Sequence, residues 1–207
     1  MYPCRWNEQM KLQAKEVTFD YPCGKRIFEK FSMCVEEGER VGIFAPSGRG
    51  KTTLCKLLAG YIEPTKGNIL LDGKQLSKYK GHCPVQLIWQ HPEQVVDPHL
   101  PMGYTLREGG AVDETLMQAL GIQEDWLKRY PAELSGGELQ RFCIARALAG
   151  NTKFILADEI SAMLDLITQA QLWTFLKEET TRRKIGLVAV SHSQPLLNQV
   201  CTRQITL

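Results

Sequence analysis

Residues 40–53 constrain the fold of this chain more than any other segment. Residues 40–45, Arg-Val-Gly-Ile-Phe-Ala, are almost wholly apolar, which is typical of a strand buried on both faces of a parallel sheet. The loop Ala-Pro-Ser-Gly-Arg-Gly-Lys-Thr-Thr (45–53) follows and leads into a predicted helix over about 51–59. A strand, a glycine-rich loop and a helix in this order form the context of a phosphate-binding loop. The alternative is a plain strand–turn–helix without a ligand.

Individual positions of this loop carry distinct expectations. Gly48 and Gly50 allow the backbone to wrap a phosphate, and the amides of the loop would line the cradle. Lys51 would reach the β and γ phosphates of a nucleotide, and Thr52 would offer a hydroxyl to Mg²⁺. Ala45 occupies a position where the pattern asks for glycine, but the extended conformation expected before a proline suits alanine. The candidate phosphate-binding residues are Ser47, Gly48, Arg49, Gly50, Lys51, Thr52 and Thr53.

A second glycine pair opens a predicted helix over 135–150, in the octet Leu-Ser-Gly-Gly-Glu-Leu-Gln-Arg (134–141). Ser135 can cap this helix, and Glu138 stands three residues on, where a capping box needs it. Gly136 and Gly137 would leave the first amides of the helix bare, which favours a negative ligand. The alternative is an ordinary capped helix after a turn.

Two acids end the apolar run Phe-Ile-Leu-Ala (154–157). Ligands gather at the carboxyl ends of strands in an open α/β sheet. We expect Asp158 to hold Mg²⁺ and Glu159 to polarise the attacking water. The alternative is a solvated strand end or an N-cap pair.

Two further residues follow predicted strands. His192 comes after the apolar run 186–190 and could touch a γ phosphate, although a loop histidine without a ligand would look the same. Gln90 ends the predicted strand 85–90 and could contact the metal or the water.

Composition excludes several classes of protein. Lys plus Arg is 25 and Asp plus Glu is 23, and the resulting net charge of +2 gives no electrostatic case for nucleic acid binding. No run of about 18 apolar residues predicts a membrane span, and no signal-peptide pattern is present. Seven irregularly spaced cysteines predict neither a zinc site nor a disulfide framework, and a reducing cytosol is the simplest setting.

Alternating strands and helices predict an α/β fold: a P-loop NTPase core with a mainly parallel sheet, an N-terminal antiparallel β subdomain and an inserted helical subdomain. We assign one domain over 1–207, with 1–90 and 150–207 as core plus β subdomain, and 91–149 as the helical subdomain. Within the helical subdomain we predict helices over 113–120 and 123–130, and its prolines and Gly103 mark loops. The predicted helix 163–181 would face the core through Leu164, Ile167, Leu172, Trp173 and Leu176.

In this order along the chain, these motifs resemble the nucleotide-binding subunit of an ABC transporter. The resemblance covers nearly the whole chain, and its most specific part is the octet 134–141. It implies that Tyr21 stacks on adenine, that Gln90 marks the loop touching the membrane subunit, and that Ala-Met-Leu-Asp (162–165), with Asp165, communicates across a dimer. It also implies ATP and Mg²⁺ as cofactors.

The resemblance further implies a head-to-tail pair of ATPase subunits, identical or paralogous, each placing its phosphate loop opposite the partner's Ser135-Gly136-Gly137. Transmembrane transporter subunits would hold the pair at the cytoplasmic face of the cell membrane. Segments around Pro98, Met102 and Arg129 are similar to oligopeptide and nickel importers. Glu138 stands where glutamine is usual, and because a carboxylate aimed at a γ phosphate would repel it, we predict that Glu138 folds back into the capping box.

Two other functions remain open at this point. The chain could be an ATP-binding dimerisation module with little turnover, against which the intact set Lys51, Asp158, Glu159 and His192 argues. It could also be a soluble ABC protein of DNA repair or translation, although no long coiled coil, zinc insertion or second tandem domain fits in 207 residues.

Overall fold

Two β-sheets form the framework of the computed structural model, which describes residues 9–110, 113–162 and 164–207. The strands are β1 (Lys11–Asp20), β2 (Arg26–Glu36), β3 (Arg40–Phe44), β4 (Lys66–Leu71), β5 (Lys74–Gln75), β6 (Val85–Ile88), β7 (Phe154–Asp158), β8 (Gly186–Ser191) and β9 (Arg203–Thr206). The smaller sheet has the order β2-β1-β4-β5 and is antiparallel. The larger sheet has the order β6-β7-β8-β3-β9 and is parallel throughout. The α/β class and the division into parallel and antiparallel sheets are therefore as predicted.

Helices cover both faces of the parallel sheet. They are α1 (Lys51–Leu58), α2 (Met102–Glu108), α3 (Glu114–Ala119), α4 (Gly136–Leu148), α5 (Leu166–Arg182) and α6 (Gln194–Val200). Ile155 and Ala157 of β7 belong to an apolar cluster shared with α2, α4 and α5. Phe154 and Leu156 of the same strand belong to a second cluster, which includes α1 and the antiparallel sheet. Because successive side chains of a strand point to opposite faces, this double burial explains the unbroken apolar run in the sequence.

The register of the parallel strands brings their carboxyl ends to one edge. Phe44 of β3 pairs with Ser191 of β8, and Asp158 of β7 pairs with Val190. The loop after β3, the acids at the end of β7 and the histidine after β8 therefore emerge side by side. This is the edge where open α/β sheets bind ligands.

Several predictions of local structure are wrong. Residues 102–108 form α2, although the prolines and Gly103 predicted a loop; Pro101 serves as its N-cap, before the first turn, where proline is tolerated. Within the predicted helix 123–130, only Glu124–Lys128 is helical, and it is a 3₁₀ stretch. Ile167 was expected in the core but is 73% exposed, because it lies in the first turn of α5 before the helix packs. Leu172, Trp173 and Leu176 are buried as predicted.

Cys34 in β2 is disulfide-bonded, which the cysteine spacing did not predict. Cys23, Cys55, Cys83, Cys143 and Cys201 carry free thiols. Among the residues described, no helix combines the length and apolar character needed to cross a bilayer.

Candidate functional site

The loop 45–53 enters α1 through a glycine that no other residue could replace without strain. Gly50 is the N-cap of α1 and has φ = 92°, in the left-handed region. A Cβ placed there would come within 2.3 Å of Ile27 Cγ2. No side chain caps α1. The first amides of the helix are therefore left to an external partner, and a helix start of this kind favours an anion.

Lys51 is held inside this loop by three oxygens. Its Nζ donates to the carbonyl of Ala45 at 2.9 Å and to that of Pro46 at 3.2 Å. It also pairs with Glu159 Oε1 at 3.0 Å, and the side chain is only 6% exposed. Position 45 takes part through its backbone carbonyl and lies outside the left-handed region, so alanine satisfies it as expected.

Glu159 connects this lysine to the histidine after β8. Its second carboxylate oxygen, Oε2, lies 3.3 Å from His192 Nδ1. The backbone of Glu159 has φ = 49°, an uncommon conformation for a residue with a side chain. Its amide donates to the carbonyl of Val190 at 3.1 Å, which fixes this turn against β8. Ion-pair and hydrogen-bond contacts thus link Lys51, Glu159 and His192 in one network.

Asp158 precedes Glu159 of this network and is buried. It is 2% exposed, and its Oδ1 has no hydrogen-bond partner among the described residues. Burial raises the pKa of Asp158, and the hydroxyl of Thr52 opposes the shift. A buried carboxylate oxygen without a donor, beside an exposed threonine hydroxyl, fits a hard divalent cation such as Mg²⁺. Asp158 and Thr52 are therefore compatible with the predicted metal role.

Tyr21 lies beside the loop as well. Its hydroxyl is 2.8 Å from Thr53 Oγ1, and its ring packs edge-on against Phe19 with centroids 5.0 Å apart. Tyr21 is 36% exposed, so part of the residue remains accessible to a ligand. Ser47 and Arg49 are exposed at the tip of the loop.

The start of α4 forms the capping box predicted from the sequence. The amide of Ser135 donates to Glu138 Oε2 at 2.7 Å, and the amide of Glu138 donates to Ser135 Oγ at 3.3 Å. The Glu138 carboxylate is thus turned back onto the helix start, as predicted. A Cβ on Gly137 would come within 3.1 Å of the Leu164 side chain, so the helix start lies against the segment before α5.

Asp165 ends that segment and caps α5. Its carboxylate accepts from the amides of Ile167 and Thr168, both at 3.0 Å, and from the Thr168 hydroxyl. The Thr168 hydroxyl, together with the amides, lowers the pKa of Asp165. Met163, part of the predicted segment 162–165, lies outside the described residues.

One cavity adjoins both the strand-end residues and the segment before α5. It has a volume of about 290 Å³, and its lining includes Glu159, His192, Leu164 and Leu166. Within one chain, the residues Ser135 and Gly137 contact Glu138 and Leu164, whereas Lys51 contacts Glu159. The structure therefore brings the loop 45–53 together with the acids that follow β7, whereas the start of α4 contacts the segment before α5.

Gln90 lies two residues beyond β6 and is partly buried. The sequence analysis missed Gln140 of α4, whose Nε2 donates to the carbonyl of Trp89 at 3.3 Å. It also missed Ser161, whose hydroxyl accepts from Gln169 at 2.7 Å and from the Trp173 indole at 3.0 Å and so braces the turn after Glu159. Sequence alone gave little signal for Gln140, because α4 also carries the polar residues Glu138, Arg141 and Arg146.

Comparison with known proteins gives a consistent picture. The ABC transporter family profile matches residues 28–162. The chain is 31% identical over 209 residues to the nickel import system ATP-binding protein NikE of Staphylococcus aureus, covering 95% of this chain and 86% of that one. It is 33% identical to the glutathione import ATP-binding protein GsiA of Pectobacterium atrosepticum, covering 84% of this chain but only 31% of that relative's length.

Solved structures agree with this relationship. A bacterial ABC transporter cassette solved as a dimer superposes with a TM-score of 0.82 at 25% identity, over 95% of this chain and 94% of that one. The same cassette in a post-hydrolysis state bound to ADP and Pi superposes with a TM-score of 0.83 at 25% identity, with the same coverage.

Proposed function

This chain belongs to the ABC transporter family, in its ATP-binding branch, and we propose that it binds and hydrolyses ATP with Mg²⁺ to drive a membrane importer. The observation that carries the proposal is the network of Lys51, Glu159 and His192. Next to it lies the Asp158 Oδ1 oxygen, which has no hydrogen-bond partner among the described residues. Two acids that served only as a solvated strand end or as an N-cap pair would need none of these contacts. A phosphoryl-transfer site needs a cation for the phosphates, a carboxylate for water and a ligand for the metal.

In this proposal the loop amides at 47–53 bind the phosphates and Lys51 neutralises the γ phosphate. Glu159 accepts a proton from the attacking water, and His192 holds the carboxylate in place through Oε2. Asp158, Thr52 and Gln90 would hold Mg²⁺, which when bound offsets the charge of the phosphate oxygens. Lys51 exchanges one partner for another, since the phosphate competes with Glu159 Oε1 for the same ammonium group.

The remaining residues complete the nucleotide site. Tyr21, which is partly exposed, would stack on adenine. Ser135, Gly136 and Gly137 would bind the phosphates of the nucleotide held by a second ATPase subunit in a head-to-tail dimer. The Gly136 and Gly137 amides suit this role, because the capping box occupies only the amides of Ser135 and Glu138. Asp165 would communicate between the two sites.

We propose residues 91–149, with α2, α3 and α4, as the helical subdomain, and 1–90 with 150–207 as the core. Relatives named for glutathione and nickel import support an importer of peptides, nickel or related small solutes. Transmembrane subunits would then keep the chain at the cytoplasmic face of the membrane.

The variant Glu159→Gln tests this function. Removal of the base should lower ATP hydrolysis by about 10²–10⁴-fold. ATP binding should persist, so ATP-bound dimers should accumulate in size-exclusion chromatography with light scattering. Glu63→Gln, on an exposed carboxylate, is the matched control and should hydrolyse ATP at the wild-type rate. Unchanged turnover in Glu159→Gln would overturn the catalytic role, and a wild type that dimerises with ATP without hydrolysing it would favour a binding module.

A further inference from the structure

Two side chains of α4 hold the two ends of one short backbone segment. Gln140 Nε2 donates to the carbonyl of Trp89 at 3.3 Å. Arg146 Nη1 donates to the carbonyl of Val95 at 2.9 Å. The carbonyls stand six residues apart in the segment 89–95, which we call the tethered segment, and the two donors stand six residues apart on α4. Gln90 lies inside the tethered segment.

The tethered segment also has other contacts: Val95 packs against the apolar cluster that includes α4, and the Trp89 ring packs against Tyr61. It follows the end of β6 at Ile88, and its internal bonds are those of one 3₁₀ turn, from Gln94 to His91 and from Val95 to Pro92, together with a contact of His91 Nδ1 with Glu93 Oε1 at 3.2 Å. A cavity of about 400 Å³ separates it from part of α4, and Trp89 and Val95 line this cavity together with Cys143 and Arg146. The two hydrogen bonds therefore join the segment directly to α4 beside this cavity, where apolar packing is interrupted.

The donors themselves are firmly placed. Gln140 is 2% exposed, within a helix whose core-facing residues are buried on every turn. Arg146 is fixed a second time, by an ion pair with Glu108 Oε2 of α2 at 2.9 Å. A buried amide side chain has to be hydrogen-bonded, so the contact of Gln140 with Trp89 is costly to lose.

We propose that Gln140 and Arg146 are positioning residues, which fix the tethered segment to α4 so that Gln90 moves with the helix that begins at Ser135. Gln140 lies five positions after Ser135, about 7.5 Å along the helix. A displacement of the helix start by a bound phosphate is therefore transmitted to the backbone next to Gln90. The inference rests on the proposed function in one respect, since it gives Gln90 a part in turnover.

Amide hydrogen exchange of the full chain tests the tether without requiring hydrolysis. In Gln140→Met and Arg146→Met, we expect exchange in peptides covering 89–95 to quicken by about fivefold, the effect of one lost hydrogen bond, while β6 keeps its protection. Arg146→Lys retains a donor and should stay within about twofold of wild type. Glu108→Gln removes the ion pair but leaves the bond to Val95, and it should behave likewise.

Steady-state ATP hydrolysis of the same variants tests the consequence. Both methionine variants should lose kcat by on the order of tenfold with KM for ATP nearly unchanged, because the phosphate loop and Tyr21 are untouched. Arg146→Lys should restore most of kcat. Unchanged exchange in the methionine variants would overturn the tether whether or not the protein hydrolyses ATP, and quickened exchange with unchanged kcat would overturn its link to turnover.

Discussion

The helices α1 and α4 both begin at glycines near the site, but their first turns are completed in different ways. α1 begins after Gly50 in the left-handed region and has no side-chain cap. α4 begins after Ser135 and closes its own end with a reciprocal capping box. The start of α1 is therefore specified by backbone shape and left open, whereas the start of α4 is specified by side chains and largely satisfied.

This difference bears on how each helix start would bind phosphate in the proposed function. The open end of α1 would take its partner from outside, and in the structure Lys51 is paired with Glu159. At α4 the capping box uses the amide of Glu138 and leaves those of Gly136 and Gly137 for a ligand. Substitutions at the start of α1 should therefore lower the free energy of unfolding through backbone strain and overpacking. Substitutions at the start of α4 should lower it through the loss of capping hydrogen bonds.

The largest effect is expected for Gly50→Ala. A left-handed alanine costs about 1–2 kcal/mol. The new Cβ would also lie 2.3 Å from Ile27 Cγ2, and such overpacking adds about 1–3 kcal/mol. We expect the free energy of unfolding to fall by about 2–5 kcal/mol in urea titrations.

Gly48→Ala separates the two causes. Gly48 also has positive φ (80°), but a Cβ there would meet nothing within 4 Å. The loss should be limited to the strain, about 1 kcal/mol. Equal losses at Gly48 and Gly50 would show that the contact with Ile27 does not matter.

At α4, Ser135→Ala should have an intermediate effect. It removes the hydroxyl that accepts from the Glu138 amide and should cost about 1 kcal/mol of unfolding free energy. Ser193→Ala is the matched control, because Ser193 is the N-cap of α6 but makes no side-chain cap bond. If both variants lose the same stability, the capping box contributes nothing to α4.

A smaller effect is expected for Glu138→Gln. Glutamine closes a capping box as glutamate does, so the free energy of unfolding should change by less than about 0.5 kcal/mol. ATP-induced dimerisation, measured by light scattering, should also match wild type, because the carboxylate is turned toward the Ser135 amide. A large gain in dimerisation would mean that the carboxylate faces the nucleotide.

The smallest effect concerns a third helix start, that of α5. The folded pKa of Asp165 is lowered from the ordinary 3.8 by the Thr168 hydroxyl and amide. The stability that the ionised Asp165 cap gives to the folded protein is therefore present above pH 3.8. It is lost as the pH falls through the lower pKa that Asp165 has in the folded state. Asp165→Asn keeps a cap but does not titrate, so urea midpoints of the two proteins should converge or cross between pH 5 and about pH 2. A constant difference across this range would contradict the assignment.

The contrast also shows what the sequence could predict. The loop 45–53, the acids Asp158 and Glu159 and the capping box were predictable, because each depends on local spacing or on the end of a buried strand. The bond from Gln140 to Trp89 was not, since it joins residues 51 apart in the chain. Ile167 was misassigned because helical spacing alone does not reveal where a helix begins to pack.

Contacts of Tyr21 illustrate the same limit. Its hydroxyl meets Thr53 across 32 residues, and no spacing rule connects a strand end to the first turn of α1. The helix α2 was missed because proline and glycine argue against helices on average, while Pro101 stands just outside the helix and Gly103 within its first turn.

The strand order of the parallel sheet has a consequence for synthesis of the protein. Among the described residues, β3, which leads into the loop 45–53, pairs in that sheet with β8 and β9 alone. Both partners are translated about 140 residues or more after β3, so a growing chain on the ribosome carries Lys51 long before its strand has neighbours. Nascent chains arrested before residue 186 should therefore not retain nucleotide, and the ability to do so should arise abruptly once the final strands emerge.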